Sequence, residues 1–142
     1  MKIDCFADKY EFLSNFYPCE LVWEGRHYLN SEAAYQSAKC VDPKNRDKFT
    51  TMNPREAKRA GRHELLRIGW DKLKYGIMYE VCLAKFRQNR DLLEKLIATG
   101  DAELIEGNYW GDTYWGKCNG VGQNNLGKIL MQIREEHKQK LF

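Results

Sequence analysis

The sequence predicts an α+β protein, a predominantly helical single domain over residues 1–142 with a small N-terminal β-hairpin or sheet. Short apolar pieces bounded by turn residues occupy the first thirty positions, whereas most of the remaining chain carries apolar residues at helical spacing. A length of 142 residues with 43% hydrophobic content is sufficient for one buried core. No internal repeat, low-complexity tract or linker divides the chain, so one domain is expected.

The first third of the chain reads as extended segments. We predict a strand at residues 2–6 and a hairpin formed by residues 21–23 and 26–29 about Glu24 and Gly25. The stretch between them, residues 12–18, mixes aromatic rings with turn formers. We therefore expect a loop held by its rings there and not a strand.

Helices are predicted from their caps and from apolar periodicity. One begins at Asn30 or Ser31 and runs to residue 39, because both residues are good N-caps and no Gly or Pro follows. The run Asn-Pro-Arg-Glu at 53–56 is a capping box with proline at the first helical position, and its helix should end near residues 61–62. The other predicted elements are an amphipathic helix at 71–87, a short helix at 92–98, a brief strand at 102–106, and a last helix through 126–133 with a solvated Lys/Glu-rich tail.

Composition excludes several classes of protein. The 23 Lys and Arg against 20 Asp and Glu give a net charge of +3, too slight to identify a nucleic-acid-binding protein. No apolar run approaches the roughly 20 residues of a membrane span, and the start lacks a signal-peptide pattern, so a cytoplasmic location is expected. Five scattered cysteines indicate free thiols, and three distant histidines suggest surface or half-buried residues. We expect no metal, no cofactor and no membrane partner.

The segment at residues 108–127 is rich in Gly, Asn and aromatic residues and is long for a structureless loop, which favours a functional role. Trp110 and Trp115 are suited to stacking on a planar base, and Gly120 and Gly122 would let N–H groups approach a phosphate at the start of the last helix. Equally, the glycines build tight turns and the tryptophans fill the core.

Glu32, Gln36 and Lys39 fall close to one face of the first predicted helix. Such a face is either solvated surface or the wall of a pocket. For Glu32 the simplest interpretation is an exposed glutamate near a helix N-terminus, where the macrodipole favours it.

Several motifs, in order along nearly the whole chain, resemble those of the NADAR/YbiA-type family. They are Leu-Ser-Asn-Phe-Tyr at 13–17, Ser-Glu-Ala-Ala-Tyr-Gln-Ser-Ala-Lys at 31–39, Gly-Arg at 61–62, Trp-Asp at 70–71, Lys-Phe at 85–86, Tyr-Trp-Gly at 114–116 and Gly-Gln-Asn-Asn-Leu-Gly at 122–127. The family typically has His where Ala33 stands, and this departure leaves the neighbouring Glu32 in place.

The resemblance implies an N-glycosidase. Members of the family act on ribosylated heterocycles, including phosphorylated riboflavin-pathway intermediates, and some remove ADP-ribose from guanine. The family's key glutamate falls on Glu32, its aromatic and acidic loop on Asp112 and Trp115, and its Asn-Phe pair on Asn15 and Phe16.

Roles follow for these residues from the chemistry of a ribose C1′–N bond, whose cleavage builds positive charge on the sugar. We expect Glu32 to stabilise that charge or to deprotonate the attacking water. Asp112 would orient water or hold ribose hydroxyls, and Trp115 would stack on the base. The substrate-binding candidates are Asn15, Phe16, Gln36, Lys39, Arg62, Lys85, Trp110, Gly120, Gly122 and Asn124, with Lys39, Arg62 and Lys85 as phosphate partners.

The expected partner is a small-molecule ribosyl phosphate or an ADP-ribosyl substrate, with ADP-ribosylated nucleic acid as a second class. Two alternative functions stay open. One is a non-catalytic module that binds NAD or ADP-ribose. The other is a structural domain in which the same Trp and Gly residues serve packing only.

Overall fold

The computed structural model describes residues 1–139, and the predicted α+β class is confirmed: helices dominate and the strands are short. The strands are β1 (Lys2–Ile3), β2 (Leu21–Trp23), β3 (Arg26–Tyr28), β4 (Glu103–Leu104), β5 (Gly107–Asn108) and β6 (Lys117–Cys118). The α-helices are α1 (Ser31–Ser37), α2 (Pro54–Arg62), α3 (Trp70–Gln88), α4 (Arg90–Ala98) and α5 (Asn125–His137). Two 3₁₀ helices that the sequence did not predict cover Asp8–Leu13 and Pro43–Thr51.

The chain forms two compact units. The central unit is Asn15–Asn89, and the split unit combines Met1–Ser14 with the chain from Arg90 onward. The prediction of one domain over residues 1–142 stays a prediction, and its last three residues lie outside the described part. None of the helices between residues 1 and 139 is long and apolar enough to cross a membrane.

The central unit begins with the predicted hairpin of β2 and β3, which is confirmed. Its strands are antiparallel, and its turn residues Glu24 and Gly25 both have positive φ, 48° and 80°. Gln88, at the end of α3, binds both the N–H and the C=O of Val22 at 2.6 and 2.8 Å. The Tyr28 hydroxyl lies 2.9 Å from Ser37 Oγ. The hairpin is therefore fixed to α3 and to α1.

Helix α1 is the centre of this unit, and all seven of its residues are buried. It begins at Asn30, whose side-chain oxygen accepts the Ala33 N–H at 2.7 Å. Helices α2 and α3 and the 3₁₀ helix Pro43–Thr51 pack around it. The polar residues of α1 are consequently interior residues and not a solvated face.

The split unit is built on β1, β4, α4 and α5. Strands β1 and β4 are parallel, and β5 pairs with β6 in the same sense. Arg134 of α5 donates to the Ala102 carbonyl at 2.8 Å and to Thr99 Oγ1 at 2.9 Å. The expectation of a wholly solvated tail after Ile133 was wrong for His137, which is buried because its ring faces back onto the helix, with Nδ1 2.8 Å from the Ile133 carbonyl.

We expect the Asn53 cap to control the stability of α2. Asn53 Oδ1 accepts the Glu56 N–H at 2.8 Å, and Glu56 Oε1 accepts the Asn53 N–H at 2.9 Å, so the predicted capping box is present. Asn53→Ala should lower the free energy of unfolding by about 1 kcal/mol, because N-cap asparagine typically contributes that much. Urea unfolding measures the change, with Asn45→Ala, an exposed asparagine of the 3₁₀ helix, as the control. Equal effects of the two changes would contradict the role of the cap.

Candidate active site

Glu32 lies in the first turn of α1, and only 8% of the residue is exposed. Its backbone N–H donates to the Asn15 carbonyl at 3.2 Å. Its carboxylate oxygen Oε2 accepts the side-chain N–H of Gln36, one turn later, at 3.2 Å. A buried carboxylate is costly without such donors, so Gln36 both stabilises and orients it. The interpretation of Glu32 as an exposed surface glutamate is therefore wrong.

Asn15 holds the start of α1 through its backbone carbonyl and its side-chain oxygen. Its Oδ1 accepts the Ser31 hydroxyl at 2.8 Å and faces Cys82 Sγ at 3.8 Å, while its Nδ2 donates to Met78 Sδ at 3.3 Å. The Asn15 side chain therefore contacts Ser31 of α1 on one side and Met78 and Cys82 of α3 on the other. The Asn15 side chain thus serves to position Glu32.

Phe16, next to Asn15 in the chain, is exposed and is accompanied by the half-buried Lys58. Phe16 is 41% exposed, and Lys58 Nζ lies 5.8 Å from the centre of its ring. A cation over an aromatic face is a favourable contact, and it also places an ammonium beside an accessible ring. A planar group stacked on Phe16 would therefore meet a positive charge.

Lys39 is half-buried at the end of α1 within a group of charges. Burial lowers its pKa, the negative charge of Glu32 opposes that effect, and the positive charges of Lys74, Arg62 and Lys58 lower the pKa further. The Lys39 ammonium is thus acted on by one negative and three positive charges. Sequence reasoning selected Lys39 and Arg62 but missed Lys58 and Lys74. Lys58 could have been predicted from its i, i+4 spacing to Arg62, whereas nothing in the sequence indicates Lys74.

Lys85 lies in a different environment from the Lys39 group. Only 1% of it is exposed, and burial lowers the pKa of its ammonium, an effect opposed by the thiols of Cys19 and Cys82. Its Nζ lies 5.2 Å from the ring centre of Phe86 and 6.0 Å from that of Tyr17. Burial also raises the pKa of Cys82 to about 12, so this thiol is not a nucleophile at neutral pH.

Asp112 organises the aromatic segment of the split unit. Its Oδ1 accepts the N–H groups of Tyr114 and Trp115 at 3.1 and 2.9 Å. Asn108 binds both its N–H, at 3.0 Å, and its C=O, at 2.8 Å. This is an Asx turn in which one carboxylate oxygen replaces a backbone acceptor.

The two tryptophans of this segment differ in exposure. Trp115 is half-buried and packs edge-on against Tyr114 with the ring centres 4.7 Å apart. Trp110 is 54% exposed, and its edge-on partner Tyr109 is exposed as well. Trp110 therefore offers the more accessible ring for stacking, and Trp115 is partly committed to packing.

The start of α5 is occupied by backbone contacts. Four consecutive N–H groups donate to carbonyls of the preceding loop, namely those of Gln123, Asn124, Asn125 and Leu126 to Thr113, Gly116, Tyr114 and Trp115. The Asn124 side chain binds the Leu104 carbonyl and the Glu106 N–H. Gly120 and Gly122 have φ of +80° and +151°, and a Cβ at Gly122 would meet Thr113 at 3.0 Å. Gly122 and Asn124 thus have structural roles, whereas Gly120 has nothing within 4 Å of an added Cβ.

The predicted site residues fall into two groups. Glu32, with Asn15, Gln36, Lys39 and Arg62, belongs to the central unit, as do Phe16 and Lys85. The other six candidates belong to the split unit, in which Asp112 binds the Trp115 N–H. Within residues 1–139, no group of three or more His, Cys, Asp or Glu side chains is arranged to hold a metal ion.

Comparison with known proteins places this arrangement in a family. The sequence model of the NADAR domain matches residues 5–138. An N-glycosidase YbiA of Shigella boydii is 36% identical over 134 residues, covering 92% of this chain and 83% of that protein. An N-glycosidase of Nostoc punctiforme is 37% identical over 134 residues, with 89% and 85% covered. A riboflavin biosynthesis protein of Vibrio vulnificus is 36% identical over 133 residues, which are 91% of this chain and 36% of that protein.

A solved structure supports the same family relationship. The NMR structure of the Escherichia coli protein YbiA matches with a TM-score of 0.86 and 32% identity, covering 99% of this chain and 89% of that one. Because relatives of this identity and coverage are N-glycosidases, this chain is an enzyme that hydrolyses N-glycosyl bonds. The chain belongs to the NADAR family.

Two substitutions at Asp112 distinguish a turn-forming carboxylate from a reacting one. Asp112→Asn keeps an oxygen acceptor for the two N–H groups, so we expect activity within about tenfold of wild type. Asp112→Ala leaves both N–H groups without this acceptor, so it should lower the free energy of unfolding by about 1–3 kcal/mol and lower the activity as well. Steady-state kinetics and thermal unfolding measure both variants. Loss of turnover in both, with normal unfolding of the asparagine variant, would instead indicate a direct chemical role.

Proposed function

We propose that this chain hydrolyses the C1′–N bond of a phosphorylated ribosylamino-pyrimidine, with Glu32 as the reacting carboxylate. The observation that carries the proposal is a buried carboxylate that Gln36 orients and whose charge acts on Lys39, a lysine that three further cations also influence. The naming of one relative for riboflavin biosynthesis supports this substrate over ADP-ribosyl guanine. The proposed chemistry uses residues of the central unit alone.

Glu32 is suited to the charge that develops during the reaction. As the C1′–N bond breaks, its electron pair leaves with the base nitrogen and positive charge grows on C1′ and the ring oxygen. A carboxylate in a mostly water-free position interacts more strongly with that charge than one in solvent. Water then adds to C1′, its proton passes to Glu32 or to solvent, and the base nitrogen takes up a proton.

The cations are suited to a phosphate group. A phosphate monoester carries a charge of about −1.5 to −2 at neutral pH and accepts several charge-assisted hydrogen bonds. Burial lowers the pKa of Lys39, and the positive charges of Lys74, Arg62 and Lys58 lower it further. An anion bound among them relieves this repulsion, so phosphate binding should favour the charged form of Lys39.

Release of free base and ribose phosphate tests the reaction. A ribosylamino-pyrimidine phosphate and ADP-ribosylated guanine are incubated with wild type, Glu32→Gln and the control Glu80→Gln, an exposed glutamate of α3, and the products are separated by chromatography. We expect Glu32→Gln to lower kcat by about 10²–10⁴, because general acid–base groups typically contribute that much. The control should retain wild-type turnover.

Other outcomes separate the competing functions. Full turnover by a normally folded Glu32→Gln would show that the carboxylate is not the reacting group. Saturable binding without release, by well-folded wild type, would favour the non-catalytic nucleotide-binding module. A preference for ADP-ribosylated guanine would support hydrolysis of a C1′–N bond but would contradict the proposed pyrimidine substrate.

Lys39→Met should separate phosphate binding from stability. We expect KM for the phosphorylated substrate to rise about 10–100-fold, since a hydrogen bond to a charged group contributes about 1.5–3 kcal/mol, with a much smaller effect on the unphosphorylated analogue. Stability should not fall at neutral pH. The fold lowers the pKa of Lys39, so the charged lysine lowers the stability of the fold at pH values below that pKa. This destabilisation is lost as the pH rises through the folded pKa.

The control for this change is Lys72→Met, at an exposed lysine of α3. Kinetics with both substrates and thermal unfolding at pH 7 and pH 10 measure the two effects. An equal rise in KM for both substrates, or an unchanged KM, would contradict a phosphate role for Lys39.

A further inference from the structure

Gly61 of α2 lies directly against the side chain of Gln36 on α1. A Cβ placed at position 61 would overlap Gln36 Oε1 and would lie 2.7 Å from Cδ and 3.3 Å from Cβ of that residue. An alanine would therefore force the Gln36 amide to move. Gly61 has no positive φ, so the missing side chain and not backbone freedom explains the glycine. Glycine inside a helix is otherwise unfavourable by about 0.5–1 kcal/mol relative to alanine.

The Gln36 amide has few restraints besides this contact. Only 5% of Gln36 is exposed, and its Nε2 donates to Glu32 Oε2 at 3.2 Å. Its Oε1 is buried and has no hydrogen-bond partner among the described residues. Rotating the amide by 180° would present an oxygen to the Glu32 carboxylate, which is repulsive. The orientation of Gln36 therefore depends on the Glu32 bond at one end and on the space above Gly61 at the other.

We infer that Gly61 is a positioning residue for the Glu32 carboxylate and acts through the side chain of Gln36. This inference rests on the proposed role of Glu32. The space above Gly61 admits the Gln36 amide, the amide donates to Oε2, and the carboxylate keeps its direction. Gly61 itself has no side chain with which to touch a substrate.

Gly61→Ala should lower kcat about 10–100-fold on the ribosylamino-pyrimidine phosphate, because small displacements of a reacting group have effects of that order. KM should change little, since the cations are untouched. The acid limb of the profile of kcat/KM against pH should move to higher pH, because a carboxylate that loses an N–H donor takes up a proton more readily. A merely structural substitution would leave that limb in place.

Gly76→Ala is the matched control. Gly76 lies in α3 of the same unit, is exposed, and has nothing within 4 Å of the position of an added Cβ. This variant should keep the wild-type kcat and pH profile, with an unfolding midpoint that is unchanged or raised. An equal loss of kcat in the two variants would overturn the inference.

A double-mutant cycle tests the path through Gln36. In a Gln36→Ala background the overlapping atoms Oε1 and Cδ are gone, so Gly61→Ala should change kcat less than about threefold there. Losses that multiply in the double variant would overturn the inference, and so would an unshifted acid limb in Gly61→Ala. Turnover by Glu32→Gln would instead overturn the proposed function, and with it this role of Gly61.

Gln36→Met provides the same test if Gly61→Ala does not fold. Methionine has a similar volume and lacks the donated N–H, so this variant should show the lowered kcat and the shifted acid limb. Circular dichroism and urea unfolding confirm that it is folded. A wild-type pH profile in folded Gln36→Met would overturn the inference.

Discussion

Burial of a carboxylate in a seven-residue helix is the constraint on which the central unit depends. Every residue of α1 is interior, so Glu32 loses most of its water and must recover hydrogen bonds from the protein. Gln36 supplies one of them, and Asn15 fixes the helix start through Ser31 and the Glu32 N–H. The polar residues around α1 are therefore required by the burial of this carboxylate.

The cations that act on Lys39 have a cost for folding. Like charges and burial disfavour a protonated Lys39, and one carboxylate compensates only in part. Lys58, Arg62 and Lys74 add positive charge there, although Lys74 is also paired with Asp71 at 3.3 Å. Binding sites commonly hold such unfavourable charge in the absence of ligand, because the ligand supplies the missing counter-charge. This is the physical reason to associate the group with an anionic substrate.

The sequence predicts local structure here better than it predicts environment. The Asn53 capping box and the Glu24-Gly25 turn are set by residues adjacent in the chain, so both could be predicted. The burial of α1 could not, because a polar face at i, i+4 is equally compatible with solvent and with a pocket. The Asx turn of Asp112 was missed because the resemblance favoured a chemical role for that carboxylate. Lys74 joins the cations through tertiary packing, which no spacing encodes.

Ala33 alters the proton chemistry available beside Glu32. The residue is completely buried, and its N–H is used by the Asn30 cap. An imidazole at this position, as the family typically has, would titrate near neutral pH and could share a proton with a neighbouring carboxylate. Alanine brings no such group, so the charge interaction of Glu32 in this chain is the one with Lys39. In the proposed reaction, Glu32 is therefore the group beside C1′ that both opposes the developing positive charge and accepts a proton from water, without an imidazole as a relay.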